Sequence, residues 1–301
     1  MIDRKMIPQL GKEISRLGYG GMRFPKQGDQ VDVEATVALL RKAYEMGVNY
    51  FDTAVVYHKG ESEKIFGKAF EIYDRSTYYL ADKMSIWVCE DEQAMKDLFE
   101  RQLKTLKTDY IDFYLVHSLN RDHYKKVKEF HCVEFLQEMK RQGKIKHLGF
   151  SFHDTYPIFT QILDDYDWDF VQIQLNYLDW QTQGTEQLYL ELEKRNLPCM
   201  VMEPVRGGYL ATLDEERTKP FTQLHPDYSV ASWAIRWVES LPQVAVVLSG
   251  MSDLAQLEDN VRMMTDFQPL NEKEQQAVEQ VVESIRKVND VPCTGCRYCM
   301  D

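Results

Sequence analysis

Along the chain, short unbroken apolar runs alternate with longer stretches whose apolar residues recur every three or four positions, from about residue 16 to about residue 265. The second pattern is that of a helix with one buried face, the first that of a strand buried on both faces. Val33, Val37, Leu40 and Tyr44 follow the helical spacing, with Asp32 ahead of them as an N-cap and Gly47 behind them as the closing residue. Ser62 is expected to open the next helix, and Asp91 the third, which carries Met95, Phe99, Leu103 and Leu106 on one face; Gly143 ends the fourth. Further helices are predicted over 156–163, 185–195, 228–240 and 254–264. Strands are predicted over 16–20, 49–52, 78–83, 111–117, 147–151, 170–176, 199–203 and 244–249.

Strict alternation of strand and helix demands parallel strands joined by right-handed crossovers, and eight such repeats close into an α/β fold of the (β/α)8 TIM barrel class. An open, doubly wound sheet competes with it, but that fold announces its dinucleotide site with G-x-G-x-x-G after the first strand. Gly18, Gly20 and Gly21 of GYGGMRF do not have that spacing. Residues 4–15 read as an N-terminal β-hairpin, and 271–289 as an extra C-terminal helix bearing Val278, Val281, Val282 and Ile285. The barrel unit is thus expected over 1–289, with the long connections 84–90, 118–128 and 205–227 left as specificity loops.

A polar residue at the end of a buried strand needs a reason, and the C-terminal ends of barrel strands form the active-site face. Asp52, Lys83, His117, Ser151, Asn176, Glu203 and Ser249 each close a predicted strand, and Gln172, Gln174 and Asn176 share one strand face by alternation. FDTAVVYHKGESEKIFGKAF (51–70) adds Tyr57, five residues past Asp52 in the following loop. Asp, Tyr, Lys and His on one face can make a proton donor. The ammonium stabilises the phenolate and is expected to lower the phenol's pKa from about 10, the carboxylate holds the ammonium, and the imidazole hydrogen-bonds the reacting oxygen.

Charge narrows the partners. Thirty-six Lys and Arg against 48 Asp and Glu give a net charge of −12, which argues against nucleic acid or an anionic membrane as the main partner. No long apolar run marks a membrane span or a signal peptide, so a cytoplasmic location is expected. Cys89, Cys132 and Cys199 are scattered and read as core thiols, while Cys293, Cys296 and Cys299 crowd the last nine residues with the C-x2-C-x2-C spacing of iron–sulfur ligands. A zinc knuckle lacking its fourth ligand, or a tail of free thiols, are the other readings of that spacing.

These segments, from LGYGGMRF (17–24) through FDTAVVYHKGESEKIFGKAF and IDFYLVH to LEDNV (257–261), resemble the aldo-keto reductase superfamily. The resemblance implies reduction of an aldehyde or ketone by hydride from NADPH or NADH, with a small-molecule carbonyl as substrate. It matches Tyr57 to the proton donor, Lys83 to the residue that tunes it, Asp52 to the anchor of Lys83, and His117 to the residue that positions the carbonyl. Among cofactor contacts it places Gly21 and Met22 after the first strand, and Ser151 and Gln172 on the nicotinamide carboxamide. Met202 falls where an aromatic ring is usual, and Phe152 where an Asn is usual. Val205, Gly207 and Gly208 match the pyrophosphate loop, Ser249 and Met251 follow the last strand, and Asp259 and Asn260 match the adenine contacts. Gly250 and Gln256 stand where the family often has a Lys and an Arg on the 2′-phosphate, which weakens the expected preference for NADPH; Arg206 and Arg262 are the candidate substitutes, and the choice between NADPH and NADH stays open.

A bacterial subgroup of the family resembles CTGCRYC (293–299) and continues into a ferredoxin-like extension. That resemblance implies a 4Fe-4S cluster and an electron-transfer partner in a longer chain, with residues 290–301 a motif cut short and an empty site here. The alternative functions are a nicotinamide-nucleotide-binding regulatory subunit on the same barrel, or an iron–sulfur-coupled oxidoreductase in the full-length protein.

Overall fold

The computed structural model describes residues 1–287. Eight parallel strands close into a barrel in chain order. They follow a two-stranded hairpin, β1 (Arg4–Ile7) and β2 (Lys12–Ser15). The barrel strands are β3 (Leu17–Gly20), β4 (Tyr50–Asp52), β5 (Tyr79–Met84), β6 (Ile111–Leu119), β7 (Ile145–Phe152), β8 (Phe170–Gln174), β9 (Cys199–Met202) and β10 (Val244–Ser249). The expected (β/α)8 barrel is therefore the fold. Among the described residues, no helix is long and apolar enough to cross a membrane.

Alternation along the strands builds the barrel interior in layers. Tyr50, Ala81, Phe113, Leu115, Phe170, Met200, Val246 and Leu248 form one buried cluster with Ile7, Leu10 and Ile14, so the hairpin plugs the N-terminal end. Two residues further along β4, β5, β6, β8 and β9 stand Asp52, Lys83, His117, Gln172 and Met202. The same period of two that points Tyr50 and Ala81 inward therefore carries Asp52 and Lys83 into the next layer, at the C-terminal end. Gly18 leaves room for its neighbours in this interior, since a Cβ there would lie 2.7 Å from Leu248 Cδ2 and displace that side chain.

The helices lie outside: α1 (Val33–Glu45), α2 (Glu61–Phe70), α3 (Glu92–Leu106), α4 (Arg121–Glu129), α5 (Cys132–Arg141) and α6 (Tyr156–Asp165) come first. Then follow α7 (Thr185–Lys194), α8 (Glu215–Leu224), α9 (Val230–Glu239), α10 (Leu254–Met263) and α11 (Glu272–Arg286). Asp32 and Asp91 cap α1 and α3 as expected, accepting from Ala35 N at 3.0 Å and Ala94 N at 2.7 Å. Ser62 does not cap α2. Gly60, at φ 90, precedes that helix, and Ser62 lies inside its first turn, fully buried, 2.8 Å from Thr53 Oγ1.

The fourth helical segment is two helices, because His131 at φ 48 breaks the path between α4 and α5. The connection 205–227 holds α8, which Asp214 caps. Strand β8 stops at Gln174; Asn176 instead turns the chain, accepting from Leu178 N at 3.1 Å and Asp179 N at 2.9 Å. The extra helix α11 begins at a capping box of Asn271 and Glu274. Its Val278, Val281, Val282 and Ile285 pack with Phe221 of α8 and Trp233 of α9.

Candidate active site

The structure brings Asp52, Tyr57, Lys83 and His117 together at the C-terminal end of the barrel. Lys83, on β5 and fully buried, donates through Nζ to Asp52 Oδ1 at 2.6 Å and to the Thr53 carbonyl at 2.7 Å. Its ammonium lies 4.9 Å from the centre of the Tyr57 ring. Tyr57 enters from the loop after β4, where its N–H donates to the Ala54 carbonyl at 3.0 Å. His58, Lys59 and Gly60 then take left-handed backbone angles (φ 50, 57 and 90), which turn the chain from Tyr57 directly into α2. For His58 and Lys59 that conformation is strained, and the stacking of His58 on Phe24 at 4.7 Å helps to hold it.

His117, near the end of β6, is buried edge-on to Tyr57, with ring centres 5.8 Å apart. Its Nδ1 lies 2.7 Å from Ser85 Oγ. Trp87 packs 4.9 Å from the imidazole and stacks on His123 at 4.6 Å, forming one wall.

Burial dominates the electrostatics. It pulls the Lys83 ammonium down, but the Asp52 carboxylate and Tyr57 beside it carry the group above its ordinary pKa, so Lys83 is charged. Burial pushes Tyr57 up to about 12, and Lys83 draws it back only in part. The sequence-based expectation of a lowered phenol pKa is thus reversed. The reason is that one ammonium, already shared with Asp52, does not offset the cost of a desolvated phenolate. Burial, then the charge of Lys83, hold His117 well below 6.5, so its imidazole is neutral at physiological pH.

Around this cluster, Ser151 and Gln172 are buried neighbours on β7 and β8. The Ser151 hydroxyl accepts from Ser118 N at 2.7 Å, which leaves its own proton to donate. Gln172 Nε2 donates to Met202 Sδ at 3.5 Å, and Gln172 Oε1 is buried with no partner among the described residues. In the loop after β9, Arg206, Gly207 and Gly208 all have positive φ, and nothing lies within 4 Å of where a Gly208 Cβ would stand. Val205 packs partly buried against the core beside them.

Other sequence-predicted positions are tied into the fold. Met251 is fully buried, and its carbonyl accepts from Tyr19 at 2.6 Å. A Cβ on Gly21 would strike Phe66 at 2.6 Å and the Asp52 carbonyl at 2.8 Å, so this glycine serves packing, while Met22 beside it is exposed. Asp259 accepts from Ser229 and, at 2.7 Å, from Arg262, and Asn260 donates to Ser249 Oγ at 3.0 Å. Gln256 turns back on Ser252 and Asp253, at 2.9 Å and 2.8 Å. The two expected substitute cations are engaged as well, Arg262 by Asp259 and the buried Arg206 by Asp179 at 3.2 Å. Gly250 is instead covered by the Arg23 stem, whose Cβ lies 2.7 Å from the position of an added Cβ.

Ser85 and Thr53 are the functional neighbours that sequence reasoning missed. Thr53 acts through its carbonyl, which carries no side-chain signature, and a serine after a strand is too common to stand out. Among the described residues, no group of three or more His, Cys, Asp or Glu is placed to hold a metal ion. Cys293, Cys296 and Cys299 lie outside the described residues. Cys89, Cys132 and Cys199 are free and buried, as expected of core thiols.

The sequence profile of the Aldo/keto reductase family matches residues 16–283. The uncharacterized oxidoreductase YqkF of Bacillus subtilis is 26% identical, over 89% of this chain and 92% of its own. L-galactose dehydrogenase of Arabidopsis thaliana is 24% identical, over 95% of this chain and 96% of its own. Among solved structures, an aldo-keto reductase from Klebsiella pneumoniae in complex with NADPH superposes with a TM-score of 0.76 at 21% identity. That match covers 94% of this chain and 95% of the other.

Proposed function

The chain belongs to the aldo/keto reductase family, and from that premise we propose that it reduces the carbonyl of an aldehyde or ketone with NADPH or NADH as hydride donor. One observation carries the reading: at the C-terminal end of the barrel Lys83, paired with Asp52 at 2.6 Å, lies 4.9 Å from the centre of the Tyr57 ring, and the His117 ring lies edge-on to that ring with centres 5.8 Å apart. With its pKa near 12, Tyr57 holds its proton through the physiological range and can give it to the oxygen of a reduced carbonyl. Lys83 then stabilises the phenolate left behind, and Asp52 keeps Lys83 in place. His117 orients the carbonyl oxygen by a hydrogen bond.

The residues present fit the dinucleotide. The partnerless Gln172 Oε1 is the acceptor that a carboxamide NH2 requires, and the free proton of Ser151 suits the carboxamide oxygen. Gly208 leaves open space where a pyrophosphate can approach the backbone. The bound dinucleotide supplies the hydride. Arg23, whose guanidinium makes no ion pair among the described residues, packs its stem over Gly250 and is the cation assigned here to the 2′-phosphate in place of the family's lysine.

The test is to titrate the protein with each dinucleotide by quenching of tryptophan fluorescence, then to add aldehydes and ketones and identify the alcohol. Saturable binding followed by alcohol is expected. Binding without turnover of any carbonyl would favour a regulatory nucleotide-binding subunit, and no binding would remove both readings.

A further inference from the structure

The proposed reduction asks His117 to donate a hydrogen bond to a carbonyl oxygen, and a neutral imidazole does so only from the nitrogen that carries its proton. The structure holds a device that makes that choice. His117 Nδ1 lies 2.7 Å from Ser85 Oγ, and Ser85 is fully buried. The hydroxyl has no other hydrogen-bond partner among the described residues. Among the described residues no carboxylate hydrogen-bonds the ring; Ser85, Tyr57 and Trp87 lie against it, with the Lys83 ammonium, His123 and His153 beyond.

Two arrangements satisfy the distance. If the imidazole donated from Nδ1, the buried hydroxyl proton would have no acceptor. If the hydroxyl donates to Nδ1, every donor is used and only lone pairs are left over, the cheaper outcome in a buried site. The second arrangement puts the ring proton on Nε2. That atom has no hydrogen-bond partner among the described residues, yet it is absent from the buried atoms left unsatisfied, so it is not fully closed off from solvent.

We propose that Ser85 is a positioning residue: its hydroxyl donates to His117 Nδ1 and thereby fixes both the ring's orientation and its Nε2–H tautomer. This rests on the reductase reading for its purpose, but the hydrogen bond itself does not depend on catalysis. The sequence hides the role, because Ser85, although in phase with Lys83, lies past the end of β5, where a serine is too common to stand out.

The test uses dinucleotide-free protein labelled with 15N-histidine. Two-bond 1H–15N correlation reports which ring nitrogen is protonated, and the signal lost in His117→Gln assigns the residue. Wild type is expected to show a protonated Nε2 and a hydrogen-bonded, unprotonated Nδ1. Ser85→Ala should shift Nδ1 to the unbonded position and lower kcat by about tenfold, with a smaller change in KM. Ser85→Thr, which keeps the hydroxyl, should restore both. A protonated Nδ1 in wild type overturns the proposal, as does Ser85→Ala with the Nδ1 resonance and kcat of wild type. If the tautomer is as stated but wild type reduces no carbonyl, the role of Ser85 at Nδ1 stands and the reductase reading fails.

Discussion

Tyr57 and Lys83 show how burial sets the chemistry of single side chains. The phenol is held near pKa 12, so the protonated form that reduction needs persists well past neutrality. The rate of carbonyl reduction should therefore show no loss from this group between about pH 6 and about pH 10, whereas alcohol oxidation, which needs the phenolate, should rise with pH. A pH profile of kcat/KM in both directions checks this, and a reduction rate that falls through about pH 8 would contradict it. Lys83 and Asp52 form a buried pair at 2.6 Å. Lys83→Met strands the carboxylate and should cost about 3–5 kcal/mol of stability, read from urea unfolding. The role proposed for Arg23 bears on dinucleotide choice. Arg23→Ala should weaken NADPH binding by about tenfold or more and leave NADH binding close to wild type, because the lost partner is the extra phosphate. An equal loss for both would place Arg23 on the shared pyrophosphate.

The elements were legible in the sequence wherever one pattern ran long enough. The barrel strands, the hairpin, the caps at Asp32 and Asp91, and the helix from Asn271 all follow from periodicity and end signals. The exceptions have physical causes. Ser62 has the chemistry of a cap, but a left-handed Gly60 performs the turn two residues earlier and frees Ser62 to bond Thr53 and the Gly21 carbonyl, at 2.8 Å and 3.2 Å. Helix α8 carries Pro220 and few apolar positions, so its pattern is weak until Phe221 finds α11. Contact between helices also sets constraints that no period reveals. A Cβ on Gly67 of α2 would lie 2.3 Å from the Thr105 carbonyl of α3. Gly67→Ala should therefore push the two helices apart at a cost of about 1–3 kcal/mol, seen as a lower urea midpoint at unchanged slope.

At the scale of the whole molecule, the hairpin seals one end of the barrel and the polar layer lies at the other, so a ligand of the proposed site would approach Tyr57, His117 and Gln172 from the C-terminal face. That layer was legible because a buried strand has no other use for Asp52, Lys83 and His117. What the sequence left hidden are properties of the assembled site: the net effect of burial on Tyr57, the capture of Arg206 and Arg262 by carboxylates, and the bond from Ser85 to His117. Apart from the Arg262–Asp259 pair, which lies within one helix, each depends on segments far apart in the chain that only the closed barrel brings into contact. The central claim, that the chain reduces carbonyls with Tyr57 as proton donor, is tested most directly by the rate at which a saturating reduced dinucleotide is oxidised by an aldehyde. Wild type and Tyr57→Phe are compared, with dinucleotide binding measured on both. The account predicts turnover by wild type and a loss of about 10²–10⁴-fold in Tyr57→Phe at undiminished binding. Equal rates in the two proteins would contradict it.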